Sequence, residues 1–163
     1  MKTASYRSAP AHLDDQARAT VAAALRSILV DAIDLHSQIK VAHWNIRGPH
    51  FAALHPLFDT YATTLQAWID VVAERGLVLG ELAVGTVRHV AASSRLEDYP
   101  QDTVKDLEHA RLLLARFDHF LKLANESRQV ADDQGDQDSA DVMTQIITEF
   151  DKNAWFLRAT LGE

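Results

Sequence analysis

Val21, Leu25, Ile28, Ala32, Leu35 and Ile39 recur every three or four positions, so they fall on a single stripe of one long helix. A stripe of that length cannot be buried by its own segment, so the helix has to pack against other elements. Asp14 or Asp15 is placed to cap this helix, which continues through VAAALRSILVDAIDLHSQIKVAHW until Gly48 and Pro49 interrupt it. A second helix is expected from near Phe51 to about Leu79, packed through Leu54, Phe58, Leu65, Ile69 and Val72. Pro56 lacks an amide hydrogen, so this helix either starts late or enters bent.

Past Gly80, ELAVGTVRHVAASSRLEDYP has room for one short helix around residues 85–93. Asp102 reads as the cap of a third long helix, DTVKDLEHARLLLARFDHFLKLANESRQVAD, whose early acids suit its positive end. The DDQGDQDSAD segment turns the chain, and Asp138 or Ser139 starts a last helix ending near Leu161. One connection of about twenty residues among otherwise short ones is the pattern of an all-α four-helix bundle with a single long crossover. Residues 1–13 read as a flexible N-terminal tail and 14–163 as the bundle domain.

Composition narrows the class. Hydrophobic residues make up 47% of the 163, ample for a core. With no cysteine there is neither a disulfide framework nor a thiolate metal site. The opening MKTASYRSAPAHLDD lacks the apolar run of a signal peptide, and no later stretch has the unbroken apolar length of a membrane helix. A soluble cytoplasmic protein is therefore expected, with no membrane partner. Twenty-three acids against sixteen Lys and Arg give a formal charge of -7, which attracts cations and opposes general binding to phosphate.

His55, Asp59, Asp70 and Glu74 carry the chemistry. Each pair is one helical turn apart, and all four share a stripe, yet Asp59 and Asp70 lie roughly 16 Å apart along the axis. One metal centre cannot span that distance. The four positions are symmetric about the point between Thr64 and Leu65, so a second copy crossing antiparallel there sets its Asp70 and Glu74 opposite His55 and Asp59. Two identical shared clusters result, roughly 22 Å apart. His43 can return beside His55 across the Gly48–Pro49 turn. Taken singly, any of these groups also serves as a cap, an interface pair or a solvated charge. Imidazole with carboxylate suits iron, and also zinc or manganese; a thiol-free, oxygen-rich site with open positions suits ferrous iron.

KVAHWNIRGPHFAALHPLFD and AWIDVVAERGLVLGE, supported by EDYP, DDQGDQDSADVM and FDKNAWFL, resemble the Dps family, the miniferritins. The resemblance covers most of residues 20–161. It implies a ferritin-like four-helix bundle with a short helix in the crossover between helices two and three, assembled into a hollow homo-dodecamer built from two-fold dimers. It further implies a ferroxidase that oxidises Fe(II), with hydrogen peroxide or dioxygen, and stores the ferric mineral, protecting the cell against oxidative stress. His43, His55 and Asp59 match the ligands from one subunit, and Asp70 and Glu74 those from its mate. Lys40 matches a basic position near the centre in some members, where it either pairs with Asp59 or extends from the interface into solvent. Trp44 and Trp155 are expected to pack. Asp138 and Asp141, with Asp132, Asp133 and Asp136 nearby, are the candidates for a cation entrance on a three-fold axis.

The chain departs from the family in places. Pro56 stands where members often have a glutamate after the second ligand histidine, which weakens mineral nucleation at that point. His36 is expected to be packed or hydrogen-bonded. His50, His89, His109 and His119 have no comparable pattern. The tail carries only Lys2, Arg7 and Arg18, with Asp14 and Asp15 close by, so DNA binding is expected to be weak or absent. A nucleoid-binding structural protein is the alternative function, and the nucleoid the alternative address. A larger ferritin or bacterioferritin is disfavoured by the lack of any ExxH motif.

Overall fold

The computed structural model describes residue 10 and residues 12–163, so most of the expected N-terminal tail lies outside the described residues. Five helices follow in order: α1 (Asp15–Asn45), α2 (Phe51–Val78), α3 (Val87–Ser93), α4 (Asp106–Asp133) and α5 (Gln137–Leu161). The four long ones form two antiparallel hairpins, α1 with α2 and α4 with α5, joined where α1 packs on α4. The short α3 lies against α1 in the crossover. Among the described residues no helix is long and apolar enough to cross a membrane.

The predicted α1 stripe is buried along its length: Val21, Leu25, Ile28, Ala32, Leu35 and Ile39 are all core residues. They meet Leu54, Phe58, Leu65 and Val72 of α2, with Phe117, Phe120, Met143 and Phe150 filling the opposite side. Edge-to-face contacts of Phe117 with Tyr61 and with Phe150, at 5.4 and 5.2 Å between ring centres, tie the two hairpins together. Truncating one of these buried side chains to alanine costs about 3 kcal/mol or more. Leu13 is buried just before α1, and Asp14 caps that helix by accepting the Ala17 amide at 2.8 Å.

Two helix starts differ from expectation. Asp102 does not cap α4. Residues 103–105 stay extended because Arg47 donates its amide to Val104 O at 2.8 Å and accepts the Asp106 amide at 3.0 Å. The helix therefore begins at Asp106, after Lys105. At α5 the cap is Asp136, not Asp138 or Ser139; its carboxylate takes both the amide and the hydroxyl of Ser139. Pro56 is tolerated inside α2, which runs unbroken from Phe51.

The crossover is held to α1 by buried charge. Asp31, fully buried, accepts the Arg95 amide and its guanidinium Nε and Nη2 at 2.6 to 2.9 Å. Arg116 reaches Gln38, Glu97 and the Asp98 carbonyl.

Candidate metal centre

The turn between α1 and α2 sets the geometry of the first cluster. Gly48 adopts φ 147°, and a Cβ there would meet the Asp106 carboxylate at 2.5 Å, so only glycine lets the turn close onto α4. Asp106 then accepts the His50 amide at 2.7 Å, His50 Nδ1 at 2.9 Å and the Leu107 amide at 2.8 Å. These bonds, the His50 amide foremost, hold its carboxyl below the usual carboxylate range.

With the turn fixed, His43 at the end of α1 and His55 in the second turn of α2 come face to face, their ring centres 3.9 Å apart. His43 Nδ1–H donates to the His55 carbonyl at 2.8 Å. That bond selects the tautomer and leaves Nε2 as a lone-pair donor, 3.9 Å from Asp59 Oδ1. Lys40, one turn earlier on α1, donates to the same Asp59 oxygen at 2.6 Å, the first of the two roles expected of it. The Lys40 hydrogen bond and then its charge hold the Asp59 carboxyl below its ordinary range.

Asp70 and Glu74 lie further along α2, both exposed and without a hydrogen bond or ion pair among the described residues. The structure thus brings His43, His55 and Asp59 together and leaves Asp70 and Glu74 apart. Among the described residues no three His, Asp or Glu side chains of one chain gather closely enough to hold a metal ion. The open face between the two groups is lined by Thr63, Gln66, Ala67 and Asp70.

Other expectations resolve differently. Trp155 is 59% exposed and Trp44 68%, so neither indole is core in this chain. The buried stripe of α5 runs Met143, Ile146, Phe150, Ala154 and Leu157, and position 155 falls a third of a turn off it. Trp44 instead carries Lys40 Nζ 5.9 Å above its ring. His36 is half-buried, and burial followed by the Lys40 charge holds its pKa below the usual imidazole value. Asp136 is buried against Arg75 at 2.6 Å, whereas Asp138 and Asp141 stand exposed at the start of α5. The His50–Asp106 and Tyr99–His109 contacts were not anticipated, because each joins residues from separate elements with no shared period.

An all-helical bundle with a helix-bearing crossover and half-clusters of His and carboxylate defines a ferritin-like protein. The family described as the ferritin-like domain matches residues 22–163. The DNA protection during starvation protein of Agrobacterium fabrum is 36% identical over 151 residues, covering 93% of each chain. The solved structure of DpsA14 from Streptomyces coelicolor matches with a TM-score of 0.91 at 26% identity, over 96% of this chain and 93% of that one. A Dps protein from Vibrio cholerae O1, described as a member of a broad superfamily of ferritin-like diiron-carboxylate proteins, matches with a TM-score of 0.88 at 25% identity, over 96% and 98%. The chain belongs to the Dps family of the ferritin-like superfamily.

Proposed function

We propose that this protein is a ferroxidase and iron store, taking Fe(II) as substrate at sites shared between two copies of the chain. One copy supplies His43, His55 and Asp59 and its two-fold mate Asp70 and Glu74. The observation that carries the reading is the fixed His43 ring: its Nδ1–H is committed to the His55 carbonyl, so the free Nε2 is presented beside Asp59. Asp70 and Glu74, unmatched on the same helix, supply the charge such a half-site lacks.

Carboxylate oxygens stabilise the ferric product more than the ferrous substrate, which favours oxidation where the iron is held. Two Fe(II) ions give one electron each to hydrogen peroxide, which leaves as two hydroxides without a free oxygen radical. Hydrolysis then yields ferric oxyhydroxide and protons, and the mineral collects inside a hollow dodecamer. Asp138 and Asp141 line the route by which cations enter. The acidic balance keeps DNA binding weak, and the protein works in the cytoplasm against oxidative stress.

Complementation tests the shared site directly. His43→Ala and Asp70→Ala should each abolish rapid peroxide-dependent Fe(II) oxidation while the cage still assembles. Co-assembled from equal parts of the two variants, two-fold pairing restores about one quarter of the sites, because half the dimers are mixed and each mixed dimer holds one intact cluster. No recovery on mixing would sink the shared site, and unchanged rates in the single variants would remove those residues from it. A gel shift that persists at moderate salt in both variants would favour the nucleoid-binding alternative.

A further inference from the structure

We infer that Tyr99 and His109 form a proton-coupled electron donor that traps one-electron oxidants of the hydroxyl-radical class. Tyr99 lies in the crossover and His109 at the start of α4. The phenol hydroxyl and His109 Nδ1 are 2.7 Å apart, and the rings are nearly parallel at 7°. His109 is fully buried, and its Nε2 has no hydrogen-bond partner among the described residues. With the phenol donating to Nδ1, the neutral ring carries its own proton on Nε2.

This arrangement has the parts the chemistry needs. A phenol that loses an electron becomes a strong acid, and a short bond to a ring nitrogen gives the proton a destination in the same step. Burial keeps both partners neutral at rest: it pushes the Tyr99 hydroxyl above its usual range and the His109 ring below. The charge of Glu108 pulls His109 the other way, toward the charged ring it must form. Tyr61, also buried, has no such base; its hydroxyl donates only to the Asn153 backbone carbonyl at a long 3.3 Å.

Position suits the role. Tyr99 lines a cleft with Gln38 and Val41 of α1. Lys40 and His43 on the same turns of α1 face the α2 cluster, so the pair stands about one helix width, roughly 10–12 Å, from it. In the step, Tyr99 gives one electron to the oxidant, which a hydroxyl radical accepts to become hydroxide. The phenolic proton moves to Nδ1, leaving a neutral phenoxyl radical and an imidazolium. A further Fe(II) returns the electron, becoming Fe(III), and the proton goes back to oxygen. The paired oxidation releases no radical, but where a single Fe(II) meets hydrogen peroxide one electron passes and Fe(III), hydroxide and a hydroxyl radical result; that source of the oxidant rests on the ferroxidase reading, and the pair itself does not.

The test has two arms. Metal-free protein is oxidised by photogenerated tris(bipyridine)ruthenium(III) and read by electron paramagnetic resonance. A tyrosyl signal is expected that disappears in Tyr99→Phe, persists in Tyr61→Phe, falls in His109→Gln and forms more slowly in D2O. A signal that survives Tyr99→Phe, or wild-type formation with no isotope effect, overturns the pair; the isotope measurement needs no variant to fold. In the second arm, Fe(II) and peroxide should give the same signal on freeze-quenching. A signal from ruthenium alone upholds the pair and counts against iron chemistry as its oxidant source.

Discussion

Beneath the crossover, Asp31 and Arg116 sit buried and each meets several partners, whereas along the outer face of α2 Asp70 and Glu74 stand in solvent and meet none among the described residues. Both regions carry carboxylates at helical spacing. The difference lies in whether the countercharge is in the same chain. Asp31 has Arg95 two-pronged against it and so fixes where the crossover lies on α1. Asp70 and Glu74 are held in line by α2 alone, their charge available to a cation and to a second copy. Matched charge builds the fold here, and unmatched charge is where its chemistry is proposed.

The comparison breaks most sharply on Asp31. Asp31→Ala strands three donors on a buried surface and should lower stability by about 3 kcal/mol, with Arg95 partly exposed and able to recover some water. Asp70→Ala should stay within about 0.5 kcal/mol of wild type, as an exposed and unpartnered site does in a single chain. Urea unfolding of the two variants measures both. If Asp70→Ala destabilises the monomer as much as Asp31→Ala, the division between the two faces is wrong.

Lys40 stands between the two cases, being the one cation among the described residues already seated in the proposed cluster. It competes with metal for Asp59, though only as a solvent-screened pair. Lys40→Ala should therefore tighten Co(II) binding, by no more than about fivefold. Isothermal titration under anaerobic conditions reads the change. Weaker binding in the variant would make Lys40 a support for the site instead of a competitor.

Much of this was legible because it is periodic. The α1 stripe and the symmetric placing of His55, Asp59, Asp70 and Glu74 follow from spacing along one helix, the long crossover from the gap between two helical patterns, and the cap was narrowed to Asp14 or Asp15, of which the structure uses Asp14. Lys40 was only partly legible: one turn before His43 it could reach Asp59 or extend into solvent, and the structure selects Asp59. The α4 start was not: Asp102 has the chemistry of a cap, but the pairing of Arg47 with residues 104–106 keeps the chain extended past it. Trp155 was expected to pack because it matches an aromatic position in the last helix of the family it resembles, while the phase of Met143, Ile146, Phe150, Ala154 and Leu157 turns it outward. Asp106 gave no local signal, its role resting on a histidine and a glycine in another element.

The smallest effect is a pH dependence at that same Asp106, which belongs with the matched charges although it borders the proposed site. Its carboxyl is held below the usual carboxylate value by the His50 amide first, with the Leu107 amide and the His50 side chain assisting. The unfolded chain therefore binds more protons than the folded one between the two pKa values. The stabilisation is fully present above the unfolded value and is lost as pH falls through the depressed folded value. The urea midpoint of the wild type should drop through that acidic window, and Asp106→Asn, which has nothing to titrate there, should show a flatter profile from a lower starting midpoint. Parallel profiles for the two proteins would mean that the carboxylate does not fasten the turn that carries His43 to His55, and the geometry of the half-site would then need another support.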